Sequence, residues 1–335
     1  MKNRLLLFII CLLPSAVFAQ GFEWQAGMTG FFDNTEFEGS EYQHPQTMAG
    51  VRFAPEISYG IDSVNKIHVG FNALTEYGSN KFIDDVVPTA YYFFDGKPFK
   101  FYMGSFSRKG LLDELPKAYY QDSIEYYRPN MTGILWQYSN STLDVKGFLD
   151  WVTRKTKNDH ESFFTGGMLK YRKSLFIVDF NAIIHHYAGS ETVKGVHENA
   201  IVNGSIGLDL KQFTPLDVLD IRTGYLGGYE RDRNLTMDWT VRHGMFTELN
   251  AAYKKFAVKG TNYVGAGLMS DYETRGNAVY WGDPFYRASF YTRADLMYNF
   301  LQKKNISLNF KSSQHFLEGH CFFEQSLILN VNVGN

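Results

Sequence analysis

Few groupings of reactive side chains in this chain of 335 residues have the spacing that chemistry demands. His197-Glu198 opens like the His-Glu pair of a zinc-protease helix, but Ile201 stands where the second histidine belongs. Gly204-Ser205-Ile206-Gly207 misses the nucleophile-elbow pattern because Asn203 occupies its first glycine position. His185 and His186 are adjacent on an extended segment, so they face opposite ways and cannot share a metal. No catalytic set, metal-ligand set or cofactor motif follows. The remaining chemistry is charge. Arg52, Glu56, His68, Lys100, Asp144, Lys146, Arg222, Glu248, Lys259, Arg287 and Arg293 fall on the polar faces of alternating segments, while Asp113, Glu114 and Asp122 lie in one long polar connection. Acids and bases facing one another across water set up a field that sorts polar solutes. The expected constriction sets Asp113, Glu114 and Asp122 against Arg52, Arg287 and Arg293. The alternative is that these charges only pair with one another.

The elements that must position them are strands. Leu143, Val145, Gly147, Leu149 and Trp151 oppose Asp144, Lys146, Phe148 and Asp150. Phe176, Val178, Phe180, Ala182 and Ile184 oppose Asp179, Asn181 and His185. Val202 to Leu210 and Tyr286 to Phe300 repeat the pattern. Successive side chains of a strand face opposite sides, so each stretch has one apolar and one charged face. A 3.6-residue helical period is absent. With no second layer to bury so much apolar face, the economical arrangement sends apolar residues to lipid and charges to a watery lumen.

Between residues 46 and 316 short and long connections alternate. The short ones are 60–65, 95–96, 139–141, 172–174, 212–215, 254–255 and 302–305, several holding the Gly, Asn, Asp or Pro of tight turns. The long ones fall near 33–46, 78–85, 107–130, 154–160, 188–196, 229–239, 270–284 and 314–320. Seven turns and eight loops join sixteen strands in an all-β, up-and-down antiparallel transmembrane barrel, with both termini at the turn end. Fourteen or eighteen strands are the neighbouring counts. The third long loop, 107–130, is the longest of these, and such loops tend to be functional. Its Leu111, Leu112 and Leu115 indicate packing, and Tyr119, Tyr120, Tyr126 and Tyr127 could stack on sugar rings or pack against the wall. Trp24, Tyr59, Tyr92, Trp136, Trp151, Tyr253 and Phe300 sit near strand ends, where aromatics anchor at a membrane interface.

The first residues place Lys2 and Arg4 before an apolar run Leu5–Leu13 and small residues up to Ala19, the pattern of a signal peptide cleaved after Ala19. Residues 1–19 are thus expected to leave and 20–335 to form the barrel. Of two cysteines only Cys321 then remains, which excludes an internal disulfide and is read as a packed wall residue. Removing Lys2 and Arg4 from the 33 bases leaves 31 against 35 acids, a balance that argues against nucleic acid. Aromatics make up 17 %, and beyond residue 20 no stretch approaches the ~20 apolar residues of a membrane helix.

In strand count, turn and loop asymmetry and a long third loop, the chain resembles the sixteen-stranded outer-membrane porins over essentially its whole length. Phe101-Tyr102-Met103-Gly104-Ser105-Phe106 and Tyr126-Tyr127-Arg128-Pro129-Asn130 look porin-like. The resemblance implies an outer-membrane location among lipid and lipopolysaccharide, a third loop folded into the channel, diffusion of small polar solutes or sugars, and room for a homotrimer. The chain departs from porins at its end, Val331-Asn332-Val333-Gly334-Asn335, where they commonly carry an aromatic; Phe322 and Phe323 lie further back. Tyr291-Thr292-Arg293 is similar to part of the outer-membrane phospholipase motif, but no His-x-Ser-Asn-Gly segment accompanies it. The expectation is a passive channel and not an enzyme. A closed barrel with a structural or surface-binding role is the alternative, and an enzyme working from loop histidines or aspartates at the rim is a further one.

Overall fold

The structure, a computed structural model, describes residues 21–335. The expected signal segment, 1–19, lies outside the described residues. The strands are β1 (Phe22–Glu36), β2 (Gln46–Gly60), β3 (Asn65–Glu76), β4 (Asp85–Gly96), β5 (Phe99–Ser107) and β6 (Asn130–Ser139). Then come β7 (Leu143–Thr153), β8 (Ser162–Lys173), β9 (Phe176–Ala188), β10 (Val196–Asp209), β11 (Val218–Asp232) and β12 (Thr240–Tyr253). The last are β13 (Phe256–Gly265), β14 (Phe290–Lys303), β15 (Ile306–Leu317) and β16 (His320–Gly334). Each pairs antiparallel with its chain neighbours, and β1 pairs with β16, so the sheet closes into a sixteen-stranded barrel without a free edge. Closure lets a sheet sit in lipid, because the backbone donors and acceptors of the wall find partners in the neighbouring strands instead of facing acyl chains.

The wall is inverted as the alternation requires. Ile57, Val69, Phe71, Met103, Phe176 and Ile206 are exposed on the outside. Asp150, Asp179, Asn181, Arg293 and Ser313 are buried inside. Trp24, Tyr59, Trp136, Trp151, Tyr253 and Phe300 are exposed near strand ends. Cys321 is exposed rather than packed.

The interior differs from a watery lumen. Residues 108–129, between β5 and β6, and 266–289, between β13 and β14, both fold inward. Leu112, Leu115, Tyr119, Tyr280, Phe285 and Tyr286 from these loops join Leu135, Phe148, Ile183, Leu226 and Tyr291 of the wall in one buried apolar cluster. The barrel therefore has a conventional core inside as well as an apolar belt outside. Residues 266–289 outrun 108–129, so the third loop is not the longest connection. Their tie is direct: the Gln121 N–H donates to the Trp281 carbonyl at 2.8 Å, and the Asp283 N–H to the Lys117 carbonyl at 2.8 Å.

Two further boundaries depart from the alternation. β14 begins at Phe290 rather than Tyr286, which puts Arg287 in a 3-10 turn, Pro284–Arg287, instead of on the wall. The expected loop at 314–320 is a tight turn at Glu318-Gly319, both at positive φ, the backbone that matches the twist of a hairpin.

Candidate functional site

The densest charge cluster lies where the third loop meets β14–β16. A one-turn helix, Ser123–Tyr127, follows Asp122. The Asp122 carboxylate accepts from Arg293 Nη2 at 2.8 Å and lies 2.8 Å from Lys117 Nζ and 3.2 Å from Lys311 Nζ. Arg293 Nε donates to Asp295 at 2.7 Å, and Lys311 Nζ lies 2.9 Å from Glu324. Burial alone would push the Asp122 carboxyl up, but Arg293, Lys117 and Lys311 outweigh it and hold it well below the usual carboxylate range. On the other side of Arg293, Asp283 accepts from the Tyr291 hydroxyl at 2.9 Å. That hydroxyl has one proton, so His315 Nδ1, 2.7 Å away, is the donor in its contact with the Tyr291 oxygen. Burial pushes the Asp283 carboxyl up, against the pull of His315 and Arg293.

Of the residues expected to form a constriction, the structure brings Asp122 and Arg293 together and scatters the others. Arg52, buried on β2, donates to the Tyr126 carbonyl and, at 2.9 Å, to Asn72, with Asp85 at 3.5 Å. Arg287 pairs with Glu273 and lies over the rings of Tyr42 and Tyr272 at 5.3 and 4.6 Å. Glu114 is 2.7 Å from Lys170, and Asp113 accepts the Gly110 N–H at 2.8 Å within its own loop. The four tyrosines face protein. Tyr119 donates to the Asn181 carbonyl at 3.0 Å, and Tyr120 packs near Phe164 and Trp281. Tyr126 stacks on Phe31 at 4.4 Å, and Tyr127 donates to Glu76 at 2.8 Å. Two cavities flank this loop. One of about 290 Å³ is lined by Gln25, Thr29, Arg52, Glu56 and Lys109. The other, about 510 Å³, is lined by Glu76, Asp84, Tyr127, Asp150 and Trp281, and both reach Arg108 and Arg128.

Two histidine arrangements were not legible as sites. Ser162 Oγ lies 2.7 Å from His185 Nε2, and His185 Nδ1 lies 2.6 Å from the Val279 carbonyl. A carbonyl only accepts, so Nδ1 carries the proton and Ser162 donates to Nε2. This has the parts of a serine nucleophile with its base, but Ser162 and His185 are 3 % and 1 % exposed, sealed under Phe164 and Trp281. It ties the inward loop to the wall.

The second arrangement faces out. Because His185 points inward, His186 points outward, and in the sheet register it stands opposite Glu198, which stands opposite Arg231. His186 Nδ1 is 3.8 Å from the Glu198 carboxylate. Arg231 Nε donates to that carboxylate at 2.9 Å and Arg233 Nε at 3.1 Å. Phe163 stacks on the His186 ring at 4.7 Å, Trp151 stacks on Phe163 at 5.0 Å, and Arg231 lies over Trp239 at 4.3 Å. The strand residues sit at the loop ends of β7–β11, and Arg233 and Trp239 lie in the connection that follows β11. Charge on the outer face of such a barrel costs roughly 2–4 kcal/mol per residue at mid-bilayer and about 0–1 near the interface. This row is therefore tolerable only at headgroup depth.

Compared with known proteins, residues 19–334 match the family model described as lipid A 3'-O-deacylase-type. The chain belongs to that family. The expectation of a non-enzyme is thereby overturned, since the family takes its name from an ester-cleaving activity. No contiguous motif marks such an activity in the chain, and His186, Glu198 and Arg231 meet only across strands. The fold is that of outer-membrane barrels. Vibrio cholerae OmpT lacking loop L8 superposes with a TM-score of 0.57 at 7 % identity, covering 93 % of this chain and 99 % of that one. Pseudomonas putida OprB gives 0.54 at 8 %, covering 93 % and 94 %. An anion-selective porin from Comamonas acidovorans gives 0.51 at 8 %, covering 93 % and 98 %. The resemblance to porins thus holds for architecture. No curated protein matches the chain.

Proposed function

We propose that the chain is an outer-membrane hydrolase that removes an ester-linked acyl chain from lipid A, working from the outer face of its loop rim. The observation that carries this reading is the outward row His186–Glu198–Arg231–Arg233 on a barrel whose interior is filled by two loops. A lipid held in the outer leaflet meets the outside of the wall and not the lumen. Arg231 and Arg233 offer forked donors to phosphate at headgroup depth, while Trp151 and Phe163 offer an apolar platform to the acyl chain beside it.

In this reading Glu198 keeps the His186 proton on Nδ1 and leaves Nε2 free as the base; the 3.8 Å gap is of the kind that tightens when substrate binds. His186 takes a proton from water as the water oxygen bonds to the ester carbon. The carbon–oxygen bond to the sugar then breaks, and the imidazolium returns the proton to the leaving sugar oxygen. The products are a free fatty acid and a sugar hydroxyl; Arg231 stabilises the oxyanion between the steps, and Arg233 holds the phosphate. The test is mass spectrometry of lipid A from a Gram-negative host without a deacylase of its own. Loss of one acyl chain on expression, abolished by His186→Ala, supports the reading; unchanged acylation with folded wild-type barrel in the outer membrane overturns it.

A second reading is favoured by the two cavities that meet at Arg108 and Arg128. Small polar solutes would pass along the β2–β6 wall, around the third loop, with Asp122–Arg293 holding that loop in place. Conductance in planar bilayers tests it.

A further inference from the structure

On the inner side of the same wall, one strand position away from Glu198, His197 presents an unusual ring. Its side chain is 1 % exposed, and neither ring nitrogen has a hydrogen-bond partner among the described residues. A buried imidazole rarely leaves both nitrogens unused, because the lost hydration is then uncompensated, so an unpaired one points to a missing partner. Two carboxylates face it. Glu230 comes from β11, and Asp271 comes from the inward segment 266–289, its nearer oxygen 3.8 Å from His197 Nδ1. One ligand-capable atom from each of the three residues lies within 4.8 Å of the others.

We infer that His197, Glu230 and Asp271 form a binding site for a zinc-class divalent cation, which staples the segment 266–289 to the barrel wall. One imidazole with two carboxylates is a donor set for zinc, whereas calcium and magnesium prefer oxygen alone. Tetrahedral zinc with bonds of roughly 2.0–2.2 Å sets two ligand atoms about 3.3–3.6 Å apart, so closing a separation of up to 4.8 Å requires movement of up to roughly 1.5 Å. Asp271 can supply it, because its side chain is 44 % exposed and, among the described residues, no hydrogen-bond donor holds its carboxylate. Glu230 is already oriented. Ser270 Oγ and the Tyr280 hydroxyl both donate to its Oε2 at 2.7 Å, leaving Oε1 with only the Ser270 N–H at 3.0 Å. Partners behind a ligand fix its direction in just this way. The nearby Asp232–Arg275 pair neutralises itself, so the three ligands present the net negative charge that a dication needs.

The test uses untagged, detergent-solubilised barrel carrying Cys321→Ser, because the exposed thiol would otherwise bind zinc. Protein stripped with a chelator is titrated with ZnCl2 by calorimetry, and bound metal is counted by elemental analysis. The expected result is about one zinc per chain, slower proteolysis within 266–289 when loaded, and loss of that zinc in both His197→Ala and Asp271→Asn. The second variant alters an exposed loop position, so failed folding does not explain it. Tyr280→Phe, which frees the back of Glu230, should weaken binding about tenfold or more. No stoichiometric zinc, zinc retained by both ligand variants, or calcium bound in preference to zinc would each overturn the site. None of these readouts depends on lipid A hydrolysis.

Discussion

Asp122 and Arg293 are 171 residues apart and meet at 2.8 Å inside the barrel. The contact joins a loop acid to a wall base, and it fixes where the third loop lies. Removing one partner of a buried ion cluster strands the other, at a cost of roughly 3–5 kcal/mol. Arg293→Ala leaves Asp295 without its cation and removes one from Asp122 and Glu324, which keep Lys117 and Lys311; it should lower the unfolding midpoint more than Asp122→Asn, which leaves Arg293 its Asp295 partner. Heat-dependent gel mobility of the folded barrel reads the order of the two.

The same carboxylate sets a pH dependence. An ordinary aspartate titrates near ~3.9, and Asp122 is held well below that by Arg293, Lys117 and Lys311 despite its burial. Its contribution to stability is therefore present above the ordinary value and is lost only as pH falls through the lower, folded one. The difference in unfolding midpoint between wild type and Asp122→Asn should therefore stay constant from neutral to about pH 4. Below that, wild type should lose more stability than Asp122→Asn.

At the outer rim, His186→Ala should abolish the proposed deacylation, while Glu198→Gln should reduce it by about 10²–10⁴-fold, the range of general acid–base contributions. Arg233→Ala should raise the lipid concentration needed for half-maximal rate more than it changes the maximal rate. Mass spectrometry of lipid A with purified protein in mixed micelles checks all three. Equal rates in His186→Ala and wild type would remove His186 from the chemistry.

Deleting Leu111 to Gln121 should raise single-channel conductance, because this stretch lines the cavity of about 290 Å³ and packs on the wall. Conductance that stays the same would mean that the segment 266–289 alone seals the interior.

Gly104 on β5 has φ +131, and a Cβ there would sit 2.2 Å from the Ala90 carbonyl oxygen. Gly104→Ala should cost of order 1–3 kcal/mol through backbone strain alone, read as a lower unfolding midpoint with the site unchanged.

The strands were legible because lipid on one side and charge on the other write a period of two into the chain. The pairing of those charges was not. Asp122 and Arg293 were both visible as members of a polar set, yet Lys311 and Glu324, which complete the cluster, lie on strands whose register fixes them only in three dimensions. The same holds for His186, whose outward direction follows from alternation but whose facing Glu198 follows from register. The inward course of 266–289 left a trace that went unread: Val279-Tyr280-Trp281 and Pro284-Phe285-Tyr286 are too apolar for a solvated loop, and Tyr286 imitated the start of a strand. Glu318-Gly319 was hidden by polar neighbours that belong to the lumen side of β15 and β16.

The pairing of Gln25 with Gly334, and of the residues between them along β1 and β16, makes the seam of the cylinder its most distant contact along the chain. Until β16 arrives, β1 and β15 each carry an unpaired ladder that lipid cannot satisfy and that invites pairing with other molecules. Insertion into the bilayer must therefore await the final strand, and a polypeptide cut short within it would be a hazard to its neighbours rather than a smaller barrel.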